Sequence, residues 1–118
     1  MMARYKERGY KMNLMTQELL AKFSKVGRQG NNPDPLVIAK FFNPCGRQTW
    51  LATEYDPQER MFFGYVSLFN TEHENEFGYF SLEDLLVLRI KPFGLAIERD
   101  LYFDPAPLSV VKKRETIY

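Results

Sequence analysis

The chain has 118 residues, 45 % of them apolar and 26 % charged, which fits one globular domain and excludes disorder, collagen and coiled coil. A formal net charge of +1 excludes a histone-like polycation, and no apolar run approaches the roughly 18 residues of a membrane span. Ten Phe, seven Tyr and one Trp supply the ring volume for a core despite the short chain.

In chain order, residues 1–13 lack periodicity and read as a flexible basic extension. A helix is predicted to begin at Thr16, whose hydroxyl can accept an orphan N–H. Met15 and Leu20 take the hydrophobic-staple positions. Leu19, Phe23 and Val26 form one helix face, and Gly27 and Gly30 stop it. Residues 36–42 read as a first strand, followed by turn chemistry in Asn43-Pro44-Cys45-Gly46. Residues 49–55, 61–69 and 77–80 read as the next three strands, and their short connections predict an antiparallel meander. Ser81-Leu82-Glu83-Asp84 resembles a capping box ahead of a short helix that Pro92-Phe93-Gly94 ends. Residues 96–103 are expected to give a fifth strand, and Asp104-Pro105-Ala106-Pro107 to break regularity. Lys112-Lys113-Arg114-Glu115 reads as mobile tail. The expected fold is α+β: an antiparallel sheet of about five strands, an N-terminal helix and a short helix before the last strand, in two layers. The expected organisation is an extension over 1–13, one domain over 14–109 and a tail over 110–118.

Several residue strings follow one order: Ala39-Lys40-Phe41-Phe42, Trp50 with Thr53-Glu54, Phe63-Gly64-Tyr65-Val66, Gly78-Tyr79-Phe80-Ser81-Leu82, and Gly94-Leu95 with Ile97-Glu98-Arg99-Asp100. Phe103, Pro105, Pro107 and Leu108 complete the set. Over residues 14–109 this order resembles a small uncharacterised bacterial family, a domain of unknown function carried on plasmids, conjugative elements and phages. The resemblance implies an accessory gene of a mobile element, a setting where counter-defence and transfer functions are common. It implies no catalytic residue.

Candidate chemistry is sparse. His73 and Cys45 are the sole histidine and cysteine. Both fall in predicted turns, where a dyad would lack an oxyanion hole and shelter from water. A single cysteine makes no internal disulfide, so no oxidising compartment is implied. The basic N-terminus is not followed by an apolar h-region, so it does not read as a signal peptide, and a cytoplasmic location is expected. Glu72, Glu74 and Glu76 flank His73 and would share a direction only in an extended segment. Without a second histidine or a cysteine cluster, a solvated acidic turn is preferred to a metal site, and no cofactor is expected. Phe63-Gly64-Tyr65-Val66 matches part of the aromatic RNA-recognition signature. Its flanks do not fit, since Met61 and Phe62 replace a basic residue and Gly, so core packing is the preferred reading of this string and of Phe77-Gly78-Tyr79.

Charges inside strand patterns are more informative. Alternation puts Arg99 with Ile97, Leu101 and Phe103, and Glu54 with Trp50 and Ala52. Glu54 and Arg99 are expected to pair across the sheet near Lys40, either to fix register or to form a polar pocket floor under Trp50 and Tyr65. Residues 1–30 carry +5 and the remainder −4. The basic arm of Arg4, Lys6, Arg8 and Lys11 could grip a polyanion, although a solubilising terminus is the simpler reading.

The expected function is that of a non-enzymatic interaction protein binding a host macromolecule. A counter-defence inhibitor of a restriction or CRISPR nuclease suits the resemblance, with Glu72, Glu74 and Glu76 joining Asp56 and Glu59 as phosphate mimics. The alternatives are a nucleic-acid-binding accessory protein using the basic arm, and a small hydrolase built on His73 or Cys45. Oligomeric state is not legible; exposed Phe or Tyr on an edge strand would point to self-association.

Overall fold

The computed structural model describes residues 13–118. The expected basic extension and its Arg4, Lys6, Arg8 and Lys11 lie outside the described residues.

Thr16 caps α1 (Gln17–Val26) as expected, its Oγ1 accepting from the Leu19 N–H at 3.1 Å. Gly27 ends the helix at φ 69° and donates to the Phe23 carbonyl, the left-handed stop that glycine allows without a Cβ clash. The predicted first strand splits into β1 (Leu36–Val37) and β2 (Ala39–Phe42). The meander continues through β3 (Thr49–Asp56), β4 (Met61–Ser67) and β5 (Glu76–Ser81). Ser81 caps α2 (Leu82–Val87) by accepting from the Asp84 N–H at 2.9 Å. A small hairpin, β6 (Arg89–Ile90) and β7 (Leu95–Ala96), replaces the predicted helix end. The chain then runs through β8 (Glu98–Arg99) and β9 (Ala106–Pro107) into α3 (Leu108–Glu115).

The main sheet is five-stranded and antiparallel, in the order β5-β4-β3-β2-β8, with β1 and β9 forming a separate two-stranded ladder. The predicted fifth strand shortens to two residues. Asp100 ends it by accepting from the Tyr102 N–H with its carboxylate and from the Phe103 N–H with its carbonyl, a local turn that outcompetes the ladder.

Strand alternation sorts the core into two faces. On the inner face Leu19 and Phe23 of α1 and Leu82 and Leu85 of α2 cover Phe41, Trp50, Ala52, Phe62 and Phe80. Phe62 is the hub, with ring centroids at 5.0 Å from Phe41, 4.7 Å from Tyr55 and 5.2 Å from Phe80. On the outer face Leu108 and Val111 of α3 pack with Val37, Leu51 and Tyr65. The C-terminal segment read as a mobile tail is therefore a helix docked on the sheet, and the expected two layers become three. Pro107 offers α3 no side-chain cap. Asp34 supplies one from a distance, accepting from the Ser109 N–H at 2.8 Å and its hydroxyl at 2.6 Å. A carboxylate at a helix N-terminus also opposes the helix dipole.

Candidate docking surface

The register of β3 against β4 shifts between Ala52 and Glu54. Ala52 faces Gly64, but Glu54 faces Phe63, Tyr55 faces Phe62, and Thr53 is the extra residue. A one-residue bulge reverses every side chain beyond it. Glu54 therefore leaves the face of Trp50 and Ala52, where alternation had put it, and joins the outer face with Leu51, Phe63 and Tyr65. Thr53 is buried and donates from its hydroxyl to the Phe63 carbonyl at 3.1 Å. Gly64 makes the approach possible, because a Cβ at that position would fall 2.0 Å from the Leu51 carbonyl oxygen.

This geometry undoes the expected Glu54–Arg99 pair. β2 separates the two strands, and Arg99 stands opposite Phe41, in the row of Trp50. Glu54 is four residues further along β3, roughly 13 Å at a strand's rise. The Glu54 carboxylate accepts from the Gln29 N–H at 2.8 Å, and the Arg99 guanidinium donates to the Asn13 carbonyl at 3.0 Å. Gln29 also closes the edge of β3 beyond β2, donating from its amide to the Thr53 and Leu36 carbonyls and accepting from the Leu36 N–H. The pocket floor expected under Trp50 and Tyr65 does not form, since the two rings lie on opposite faces at 7 % and 6 % exposure.

Lys40 has structural partners instead. Its Nζ lies 2.6 Å from Glu115 and 4.0 Å from Asp100, and 5.3 Å from the centre of the Phe42 ring. The Glu115 contact fastens the end of α3 to β2. Tyr65 does the same for the C-terminus, donating from its hydroxyl to the Tyr118 carbonyl, with Lys112 Nζ 4.2 Å above its ring.

The acidic run is not extended. Glu72 and Glu74 lie in a turn, Glu74 accepts from the Thr71 hydroxyl at 3.0 Å, and Glu76 opens β5. Among the described residues no group of three His, Cys, Asp or Glu side chains is placed to hold a metal. Cys45 and His73 are exposed at the tips of the β2–β3 and β4–β5 connections. Among the described residues no helix is long and apolar enough to cross a membrane.

What sequence reasoning missed is a row of rings on the outer face. Phe62 and Phe80 are core, but Phe77 and Tyr79, for which core packing is the preferred reading of the sequence, are 46 % and 76 % exposed. Phe63 stacks on Phe77 with centroids 5.9 Å apart and planes 6° apart, and meets Tyr79 edge-on at 4.9 Å. Tyr65 meets Phe77 edge-on at 5.2 Å. The signal was present in the parity of β5, where Phe77 and Tyr79 share one side and Phe80 takes the other. Beside this row an open groove of about 620 Å³ runs between the end of α1 and the β3–β4 turn, lined by Arg28, Glu54, Asp56, Glu59, Phe63 and Tyr79 among others. Three carboxylates against one guanidinium leave its walls net negative. Tyr55 also lines it, and burial raises the pKa of its phenol above the ordinary value.

A family model described as Protein of unknown function (DUF2958) matches residues 14–115. The chain belongs to this family. The match to DUF2958 takes in α3, so the C-terminal helix is part of the domain that defines the family. No curated protein and no solved structure matches the chain.

Proposed function

We propose that this DUF2958 protein is a non-enzymatic interaction module that docks a basic surface of a host macromolecule into the groove between α1 and the β3–β4 turn and onto the ring row beside it. The observation that carries the reading is the meeting of rings and carboxylates at one place: half-buried Phe63 and exposed Tyr79 beside Glu54, Asp56 and Glu59. Rings with a net negative wall suit Arg and Lys side chains, through cation–π contact and charge attraction. Exposed aromatics on a rigid strand are also the usual anchors of an interface.

The resemblance of the sequence to proteins of plasmids, conjugative elements and phages points the proposal to a counter-defence role. The partner is then a restriction or CRISPR nuclease, whose nucleic-acid channel is basic and would accept carboxylates in place of phosphates. The nucleic-acid-binding alternative rests on Arg4, Lys6, Arg8 and Lys11 and on stacking by Phe77 and Tyr79. Against it, Glu54, Asp56, Glu59 and Glu76 flank the rings and repel phosphate. The hydrolase alternative gains no support from the exposed positions of His73 and Cys45 at separate loop tips.

Binding of the purified protein to a panel of immobilised restriction and CRISPR nucleases, read by interferometry, tests the proposal. Saturable binding to a panel member that weakens at least ten-fold in Glu59→Lys supports it. Absence of binding across the panel overturns the counter-defence reading. DNA binding with a steep salt slope that disappears when residues 1–13 are deleted selects the nucleic-acid reading instead.

A further inference from the structure

We propose that a second copy of this chain pairs with the outer edge of β5, joining two five-stranded sheets into one through an isologous β5–β5 contact. β5 ends the sheet order, so among the described residues no strand lies beside its outward N–H and C=O groups. Edge strands of monomers are usually blunted by Pro, Lys, a bulge or shortness. Glu76-Phe77-Gly78-Tyr79-Phe80-Ser81 has no Pro, no Lys and an unbroken register against β4.

The edge is self-complementary in one register. Opposed residues of an antiparallel pair share a face, so a two-fold axis at Gly78 sets Phe77 against Tyr79 of the second copy twice over. This repeats the arrangement already present inside the sheet, where Phe63 stands opposite Tyr79 and Tyr65 opposite Phe77. The ring row then runs unbroken from one copy into the next. Gly78 at the axis leaves room, since a Cβ built there meets nothing within 4 Å. The same register keeps the two Glu76 carboxylates about 13 Å apart along the strands, so like charges do not oppose.

The exposed parts of two Phe77 and two Tyr79 rings amount to something on the order of 500 Å². With the backbone edges added, the contact stays below the roughly 1,200 Å² of a standard stable interface. A contact of this size makes a reversible dimer, whose population rises with chain concentration. It extends the outer face whichever partner the groove takes, and does not depend on the nuclease reading.

Sedimentation velocity of the full chain from 1 to 500 μM tests the proposal, alongside site-directed crosslinking in a Cys45→Ser background. The expected result is a concentration-dependent dimer whose dissociation constant rises at least ten-fold in the double variant Phe77→Lys, Tyr79→Lys. Gly78→Cys is expected to form an intermolecular disulfide under mild oxidant, because opposed Cα atoms in a sheet fall within bridging range. Glu76→Cys is expected not to. A chain that stays monomeric at 500 μM overturns the proposal. So does a dimer indifferent to the lysine pair, or equal crosslinking at positions 76 and 78. Protection of β5 amides by a bound nuclease on a chain monomeric throughout assigns the edge to a foreign strand and also overturns it.

Discussion

Glu54 stands opposite Phe63, one position off the register that Ala52 keeps with Gly64. That shift turns a carboxylate from the aromatic core to the outer face and builds one wall of the groove. The bulge depends on Gly64, where an added methyl would strike the Leu51 carbonyl. Gly64→Ala is expected to destabilise the fold by about 3 kcal/mol or more, since the obstruction is backbone and cannot rotate away. Gly78→Ala, in open space, is expected to stay within about 1 kcal/mol of wild type. Urea unfolding followed by the fluorescence of buried Trp50 measures both.

The docking of α3 makes the C-terminal segment part of the folding unit. Leu108→Ala is expected to cost about 2–5 kcal/mol, as for other buried leucines. A loose tail would show a change within about 0.5 kcal/mol. The same urea titration decides between them.

Asp34 is expected to couple α3 to pH. Its hydrogen bonds from the Ser109 hydroxyl and N–H hold its carboxyl below the ordinary value of 3.8. A carboxyl lowered in the folded state adds stability above that ordinary value, and the contribution is lost as pH falls through the folded value. Wild type is therefore expected to lose stability relative to Asp34→Asn as pH drops from 5 to 2. Thermal melts of the two proteins across this range check the sign, and parallel curves would contradict it.

Much of the sheet was legible in sequence because its determinants are local. Thr16, Ser81, Asn43-Pro44-Cys45-Gly46 and Asp56-Pro57 announce caps and turns by their own chemistry. α3 was not legible, because it follows Pro107 with no cap of its own, carries three basic residues in its last turn and buries only Leu108 and Val111. Its cap comes from Asp34, far away in sequence. The bulge was hidden for a similar reason. Thr53 looks like an ordinary strand residue, and only the close approach at Gly64 betrays the shift. Strict alternation without the shift puts Glu54 on the face of Trp50, which is why the pattern pairs it with Arg99. The ring row was hidden because composition does not separate Phe80, which is core, from Tyr79, which is surface.

Surface variants of the groove are expected to cost little stability. Glu59→Lys touches an exposed turn position and is expected to shift unfolding by about 0.5 kcal/mol or less, and Tyr79→Ala, which gives up the edge-on contact with Phe63, by about 1 kcal/mol. Loss of partner binding in either would then report the surface itself, which circular dichroism and melting curves of the two variants can establish beforehand.

The central claim is that the protein acts by docking through the outer face and not by chemistry at His73 or Cys45. Plasmid establishment in a bacterial strain carrying an active restriction or CRISPR nuclease tests it most directly. Wild type is compared with the double variants Tyr79→Ala, Glu59→Lys and Cys45→Ser, His73→Ala. The account predicts at least a ten-fold rise in establishment with wild type and with the Cys45 and His73 variant, and loss of that rise with the Tyr79 and Glu59 variant. Protection that survives the groove substitutions and vanishes with the thiol and imidazole would contradict it.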